Sequence, residues 1–158
     1  MTTLGLDVSP LRIGWAVVCD HVVDKHGTIT FGSDEWVTPG MRAEAIEGTL
    51  DVWHVFDRIG LEAVFVGPNK LGSIRAAMAL GQVESICDYL WPDAHQKILT
   101  AAQWRRLANV PPGGKESVMQ WAIERCKADD AEKPTGQDSA DAIAIAVATD
   151  TWHAERHG

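Results

Sequence analysis

Residues 3–8 read TLGLDV, residues 13–19 read IGWAVVC, and the segment SPLR lies between them at residues 9–12. Each of the two runs is short and apolar, which is typical of strands, and the Ser-Pro segment between them is typical of a turn. A third strand is predicted at residues 28–31, after the turn residues His26 and Gly27. The opening of the chain therefore predicts three antiparallel strands, with Asp7 at the end of the first.

The rest of the chain alternates between helical and strand patterns. Apolar residues recur at helical spacing over residues 41–59 and 73–90, and Gly60 follows the first of these helices where a C-terminal cap belongs. Between them, the run AVFV at residues 63–66 predicts a strand buried on both faces. The remaining predictions are a fifth strand at residues 97–99 and helices at residues 101–107, 115–127 and 138–155. This order predicts one α/β domain over residues 1–158, with three antiparallel and then parallel strands in a five-stranded mixed sheet flanked by helices.

The composition is that of a folded domain, with 46% hydrophobic and 23% charged residues. No apolar run approaches the roughly 20 residues of a membrane span, and the N-terminus lacks the basic and apolar segments of a signal peptide. Cys19, Cys87 and Cys126 show no CxxC spacing, which favours reduced thiols over a disulfide or zinc framework. We therefore expect a cytoplasmic location.

The formal net charge of −8 argues against a nucleic-acid partner when it is taken alone, because Lys and Arg supply most phosphate contacts. That argument weakens if several of the acidic residues form a metal site, since bound divalent cations reverse the field that a phosphate meets. The local arrangement of the acids therefore matters more than the total charge.

Asp138 and Asp141 are three residues apart at the start of the last predicted helix. This spacing brings both carboxylates to one helix face, at the end where the helix dipole favours negative charge. Acids in a first helical turn are often simple dipole complements or caps. The helix after them is so apolar at residues 142–148, however, that it must be buried against the sheet, which can bring the pair close to Asp7.

Three carboxylates at one place repel each other unless a cation binds them or their pKa values rise. Oxygen-rich clusters suit Mg²⁺ or Mn²⁺, and a pair of such ions stabilises the attacking and leaving oxygens of phosphoryl transfer. The acids therefore indicate a nuclease-like site for two Mg²⁺ or Mn²⁺ ions.

Five segments together resemble one family, the RuvC Holliday junction resolvases, which have a ribonuclease-H-like fold. They are LGLDVS (residues 4–9), IGWAV (13–17), ALGQ (79–82), GGK (113–115) and QDSADAIAIA (137–146). Their order and spacing are similar to those of the family over nearly the whole chain. Sugar kinases and actin-like ATPases use a similar strand, acid and hairpin, but they duplicate the domain, and 158 residues cannot hold two lobes.

The resemblance implies a homodimeric, Mg²⁺- or Mn²⁺-dependent endonuclease that cleaves Holliday junctions and other branched DNA in a bacterial or phage-infected cell. By the same resemblance, Asp7, Asp138 and Asp141 are metal ligands. Lys115 corresponds to a lysine near the scissile phosphate, where it would stabilise developing negative charge. A surface lysine at a helix start is the alternative interpretation of Lys115.

The family also has a glutamate at the end of its central strand. Counting back from residues 80–82 places this glutamate at Val66 or Gly67, and the end of the strand predicted at residues 63–66 favours Gly67, which cannot bind a metal. Glu62 would then lie at the opposite strand end, roughly 16 Å away at about 3.3 Å per residue. Glu84 lies within the next helix and is expected to be a surface residue. This interpretation predicts weak or absent cleavage with DNA binding retained, and its alternative is a non-cleaving branched-DNA-binding protein.

Candidate DNA contacts are expected at Asn69, Lys70 and Arg75, after the central strand, and at the adjacent pair Arg105 and Arg106. Scattered surface cations are the alternative explanation for each. The family often has an aromatic wedge that stacks on junction bases, and near Lys70 the sequence offers none. The resemblance thus favours recognition of branched DNA in general over sequence-selective junction cleavage.

Overall fold

The computed structural model describes residues 1–32, 37–50 and 55–157, apart from the side chain of His157. In these residues the strands are β1 (Thr2–Val8), β2 (Arg12–Cys19), β3 (Val22–Thr30), β4 (Arg58–Glu62) and β5 (His95–Leu99). The helices are α1 (Pro39–Leu50), α2 (Lys70–Leu90), α3 (Ala101–Leu107), α4 (Lys115–Ala128) and α5 (Gln137–His157). All helices predicted from the sequence are present, with some shifted ends.

The five strands form one mixed sheet in the order β3-β2-β1-β4-β5. The pairs β1–β2 and β2–β3 are antiparallel, whereas β1–β4 and β4–β5 are parallel. The predicted fold class, three antiparallel strands followed by parallel ones with flanking helices, is therefore confirmed.

Each face of the sheet carries its own hydrophobic core. Alternate residues of β1 and β4, including Leu4, Leu6, Ile59 and Leu61, are fully buried beneath α1 and α2. On the other face, α3, α4 and α5 pack together, with the alanine-rich segment of α5 at the centre. Because side chains alternate along a strand, the residues between those leucines and isoleucines face α5.

Glycines on the α5 face let this helix lie directly against the backbone of the sheet. A Cβ atom at these positions would collide with α5: Gly5 with Ala142 and Ala146, Gly14 with Asp138, and Gly60 with Thr149. The contacts also fix the direction of α5. Its first turn lies beside Gly14 of β2, and its later turns cross β1 and β4 towards the N-terminal ends of these strands.

The prediction of the central strand at residues 63–66 was wrong. The strand is β4, Arg58–Glu62, and residues 63–69 form no strand. Gly60 accordingly lies inside β4 and does not cap a helix, and α1 ends at Leu50. The segment AVFV is more hydrophobic than RIGLE, so hydrophobicity alone favours AVFV as the strand. However, α5 crosses β4 at a position that admits only glycine, and RIGLE has this glycine at residue 60. The part of the predicted helix at residues 51–54 lies outside the described residues.

The described cysteines are free, and burial raises the pKa of the Cys87 thiol to about 12. Such a thiol is inert. No helix in the described part of the chain is long and apolar enough to cross a bilayer.

Candidate active site

Two acidic side chains stand side by side at the C-terminal ends of the parallel strands β1 and β4. The register pairs Gly5 with Gly60 and Leu6 with Leu61, and Asp7 and Glu62 are the next residues of the two strands. Neighbouring strands are about 4.8 Å apart. Because Gly5 and Gly60 face α5, the residues two positions further along face the same side. Asp7 and Glu62 therefore project together towards the start of α5.

The first turns of α5 bring the second pair of acids to the same place. Gly14 is the register partner of Asp7, and the backbone of Asp138 lies directly over Gly14. Asp141 follows one turn later, and its Oδ1 accepts a hydrogen bond of 2.7 Å from Nε2 of Gln137. Asp138 Oδ2 lies 3.6 Å from Nε of Arg12, at the start of β2. The predicted meeting of the strand acid and the helix acids is present in the structure.

The acids interact strongly enough to disturb their ionisation. Burial, and then the charges of Asp141, Glu62 and Asp138, together raise the pKa of Asp7 to about 8, although the charge of Lys115 lowers it. Burial and the charge of Asp141 also raise the pKa of Glu62. Asp7 thus binds a proton near neutral pH when no cation is present, because burial and the neighbouring carboxylates both disfavour its charged form.

Opposing effects also act on the pKa of Asp141. Burial and the charge of Asp138 raise its pKa, and the hydrogen bond from Gln137 together with Arg105 and Lys115 lowers it. Four carboxylates from two strand ends and one helix start therefore share a single partly buried region.

The chemistry of this donor set fits hard divalent cations, because Mg²⁺ and Mn²⁺ prefer carboxylate oxygens. Among the described residues, no three acidic, histidine or cysteine side chains already meet as the ligands of a metal ion do. A bound cation would relieve the repulsion that contributes to the raised pKa of Asp7. Asp7, Glu62, Asp138 and Asp141 are the residues that could hold such ions.

Two cations face the acidic region, one from the start of α4 and one from α3. Lys115, the first residue of α4, lowers the pKa values of both Asp7 and Asp141. Arg105 lowers those of Glu62 and Asp141, and its guanidinium donates a 3.0 Å hydrogen bond to the Gly113 carbonyl. Arg105, expected as a DNA contact, therefore lies beside the acids and also anchors the loop that leads to Lys115.

Gly67 does not occupy the position inferred for it. It lies five residues beyond the end of β4, where its N–H donates to Oγ of Ser73 at 3.2 Å. Glu62 is the acid at the strand end, so the inference of a missing ligand rested on the misplaced strand. Glu84 lies on α2, across the sheet from α5, where its carbonyl accepts from Gln96.

The other expected DNA contacts lie on the surface. Asn69 caps α2, since its Oδ1 accepts from the Gly72 N–H at 3.0 Å. Lys70 and Arg75 are exposed on the first turns of α2, and Arg106 is exposed on α3. Asn69 thus has a structural role as a helix cap, whereas the three cationic side chains are exposed to solvent.

An exposed aromatic side chain follows Glu62, although none was expected near Lys70. Phe65 is 86% exposed and Val66 is 77% exposed, on the loop that leaves β4 beside the acids. Large apolar side chains at this exposure, next to a polar site, often mark a binding surface. Because β4 ends at Glu62, Phe65 and Val66 lie on the surface and not in the core, where the sequence predicted them.

The sequence did contain a signal for Glu62. Residues 4–7 read LGLD and residues 59–62 read IGLE, which is the same pattern of apolar residue, glycine, leucine and acid. The structure pairs these two segments in parallel register. A search for a second copy of the first-strand pattern would have found the fourth acid.

Comparisons with known proteins bear on this architecture. No protein-family model matches the chain, and no curated protein matches it. Solved structures do match, and they show that the chain has the RuvC-like, ribonuclease-H-like fold. Thermus thermophilus RuvC superposes with a TM-score of 0.73 at 19% identity, covering 99% of this chain and 97% of that one.

Two further structures agree. T. thermophilus RuvC in complex with a Holliday junction substrate also has a TM-score of 0.73, at 15% identity, with 98% of this chain and 96% of that chain covered. The yeast mitochondrial Holliday junction resolvase Ydc2 has a TM-score of 0.62 at 13% identity, covering 97% of this chain and 80% of that one. At these identities the likeness is one of fold.

Proposed function

We propose that this chain is a divalent-metal-dependent endonuclease that cleaves Holliday junctions and other branched DNA. The observation that carries the proposal is the convergence of Asp7, Glu62, Asp138 and Asp141 at one end of α5. The fold that the chain shares with Holliday junction resolvases supports the same function.

The four carboxylates are the groups that would hold Mg²⁺ or Mn²⁺. When bound, a pair of such ions supplies activation of water and charge stabilisation for in-line phosphodiester hydrolysis. The protein's own part is positional: two acids come from adjacent strand ends and two from one helix turn, so the backbone fixes their spacing. Gln137 further holds Asp141 through its hydrogen bond.

The cations next to the acids would act on the DNA. Lys115 carries a positive charge close to Asp7 and Asp141, where it would stabilise negative charge that develops on the cleaved phosphate. Arg105 holds the loop before Lys115 through Gly113 and adds a second positive charge. Arg106, Lys70 and Arg75 would contact the backbone of the DNA arms. The positive charges of Lys115 and Arg105 beside the acids weaken the objection raised by the net charge of −8.

Phe65 gives the site a way to recognise branched DNA. Base stacking on an aromatic side chain is worth about 1–3 kcal/mol per base and does not depend on sequence. A base that is unpaired at a branch point can stack on Phe65, whereas a base within a continuous duplex cannot. The exposed side chain therefore favours selection by DNA structure.

We also propose that the chain acts as a homodimer, because a four-way junction presents two symmetric strands for cleavage. An open apolar groove of about 550 Å³ lies between α1 and α2, away from α5. The outer side of α2 adds exposed apolar residues at helical spacing: Leu71, Ile74, Met78 and Tyr89. Sedimentation of Met78→Asp beside the wild type tests whether this face mediates self-association.

Cleavage of a synthetic four-way junction tests the proposal. With Mg²⁺ or Mn²⁺ we expect the junction to be cut and a linear duplex of the same sequence to stay intact. Gel shifts in Ca²⁺ report binding separately, and Asp141→Asn serves as the inactive control. Binding without cleavage by the wild type would select a branched-DNA-binding protein, the alternative suggested by glycine at residue 67. Glu62 at the end of β4 supports cleavage over that alternative.

A further inference from the structure

Trp104 lies beside the acidic region without being one of its acids. It is 2% exposed and belongs to α3, which begins immediately after β5. The last residue of β5, Leu99, is the register partner of Glu62. The start of α3 is held firmly, because Thr100 and Gln103 form a capping box. The chain thus carries Trp104 from the end of β5 over the neighbouring end of β4.

The indole N–H of Trp104 is buried and has no hydrogen-bond partner of normal geometry in the part of the chain that the structure describes. Buried donors in folded proteins are nearly always paired, so an exception needs an explanation. The ring itself cannot turn away. It packs against residues of α5, and the Arg105 guanidinium lies 5.1 Å from its centre. The acidic group that responds to this N–H is Glu62, whose carboxylate it stabilises.

We propose that Trp104 is a positioning residue whose indole N–H orients the Glu62 carboxylate for binding a divalent cation. This inference rests on the proposed function. An indole can only donate, so it selects a carboxylate oxygen as acceptor. It occupies one lone pair of Glu62 and leaves the others for the cation. Groups that orient a metal ligand from behind typically change metal affinity or activity 10- to 100-fold when they are removed.

The variant Trp104→Phe keeps an aromatic ring and removes the donor. We expect the affinity for Mn²⁺, measured by calorimetry without DNA, to fall about 10-fold. The Mg²⁺ concentration that gives half-maximal cleavage should rise by a similar factor, while the rate at saturating Mg²⁺ recovers towards that of the wild type. Trp91→Phe is the matched control, because Trp91 is also buried but packs on the opposite face of the sheet. It should leave Mn²⁺ affinity unchanged.

A double-mutant cycle tests whether Trp104 acts through Glu62. In the Glu62→Gln background, Trp104→Phe should weaken Mn²⁺ binding no further, since the group it orients has lost its charge. Equal Mn²⁺ affinity in folded Trp104→Phe and wild type would overturn the inference, and so would an undiminished effect in the Glu62→Gln background. If Glu62→Gln cleaves like the wild type, the proposed function fails instead, so the two failures are distinct.

A measurement on the intact protein covers the case in which Trp104→Phe does not fold. The indole N–H resonance of Trp104 in ¹⁵N-labelled wild type should shift when Ca²⁺ is added and in the single variant Glu62→Gln. The indole resonance of Trp91 should shift in neither experiment. A Trp104 resonance that ignores both changes would overturn the inference.

Discussion

Buried carboxylates lie at both ends of α5, but they have partners inside the protein at one end and repel each other at the other. Near the C-terminal end, Asp150 is 4% exposed, and its Oδ1 accepts from Nη1 of Arg58 at 3.0 Å and from Oγ1 of Thr3 at 3.2 Å. His21 contacts its other oxygen. At the N-terminal end, Asp138 and Asp141 meet Asp7 and Glu62, and burial with mutual repulsion raises the pKa of Asp7 to about 8.

The difference is between an acid with partners inside the protein and a cluster of acids that repel each other, on one helix. The carboxylate of Asp150 has a partner for each oxygen, so it needs nothing from outside the chain. The four acids at the other end repel each other, and this repulsion contributes to the raised pKa of Asp7. An unbalanced cluster of this kind is a place where a ligand of opposite charge can bind.

The largest effect is expected from neutralising an acid at the N-terminal end. A carboxylate about 4 Å from a divalent ion contributes on the order of 8 kcal/mol at an effective dielectric of about 20, before desolvation. Even half of this lowers the rate about a thousandfold. Glu62→Gln should therefore reduce Mg²⁺-dependent junction cleavage by about that factor, measured by single-turnover kinetics.

Gly67→Glu should be compared with Glu62→Gln, because it places an acid at the ligand position that was inferred from the sequence. It should neither increase cleavage in the wild type nor restore it to Glu62→Gln. A gain of activity in Gly67→Glu would mean that Gly67, and not Glu62, holds the ligand position.

At the opposite end, removing a partner should affect stability and not metal binding. Arg58→Met leaves Asp150 buried without its guanidinium, which typically costs about 3–5 kcal/mol. Chemical denaturation should show this loss, with Mn²⁺ affinity unchanged in the folded fraction. The double variant Arg58→Met with Asp150→Leu removes both charges and should be more stable than Arg58→Met alone. If it is less stable, the pair is not the source of the effect.

The pH dependence of stability should also distinguish the two ends. Asp7 has a pKa of about 8 in the folded protein and an ordinary pKa of 3.8, so the folded state binds an extra proton between these values. Stability without metal should therefore fall as pH rises through this window, by about 2 kcal/mol between pH 5 and pH 7.

Urea denaturation in a chelator measures this slope. Asp7→Asn should flatten it, and Mg²⁺ should oppose it by binding the ionised carboxylates. A wild type and Asp7→Asn with parallel pH profiles would contradict the assignment of this proton to Asp7.

The smallest effect is expected at the exposed loop after β4. Phe65→Ala should weaken junction binding in Ca²⁺ by about 1–2 kcal/mol, or roughly 5- to 30-fold, through lost base stacking. Because Phe65 is 86% exposed, the melting temperature should not change. Val66→Ala, at a neighbouring exposed position, is the control and should bind almost as well as the wild type. Equal losses from both variants would indicate a general contact with the loop and no stacking.

The sequence was informative wherever one pattern had one physical meaning. The hairpin at residues 3–19 and the alanine-rich helix after Asp141 predicted their elements and brought Asp7, Asp138 and Asp141 together. The central strand failed because hydrophobicity ranked AVFV above RIGLE. Burial of β4 depends on Gly60 admitting α5, and on Arg58 pairing with Asp150, and both are contacts with residues more than 80 positions away.

The fourth acid was lost with that strand and not for lack of a signal. Glu62 was dismissed because it was assigned to the wrong end of a strand, and Phe65 was hidden in a presumed core. Trp104 could not have been found in this way, because the burial of an indole N–H without a partner is a property of packing that no local pattern encodes.

The glycines beneath α5 have a geometric consequence for the acids at its start. Thr149, over Gly60, is 11 residues from Asp138, which is about 16 Å at 1.5 Å per residue. A tilt of only about 4° around that contact would swing the start of the helix by about 1 Å, and a misplacement of this size can cost roughly 100-fold in rate. The absence of a side chain at Gly60 thus helps to set the positions of Asp138 and Asp141, because a small tilt of α5 at Gly60 produces a larger displacement at the start of the helix.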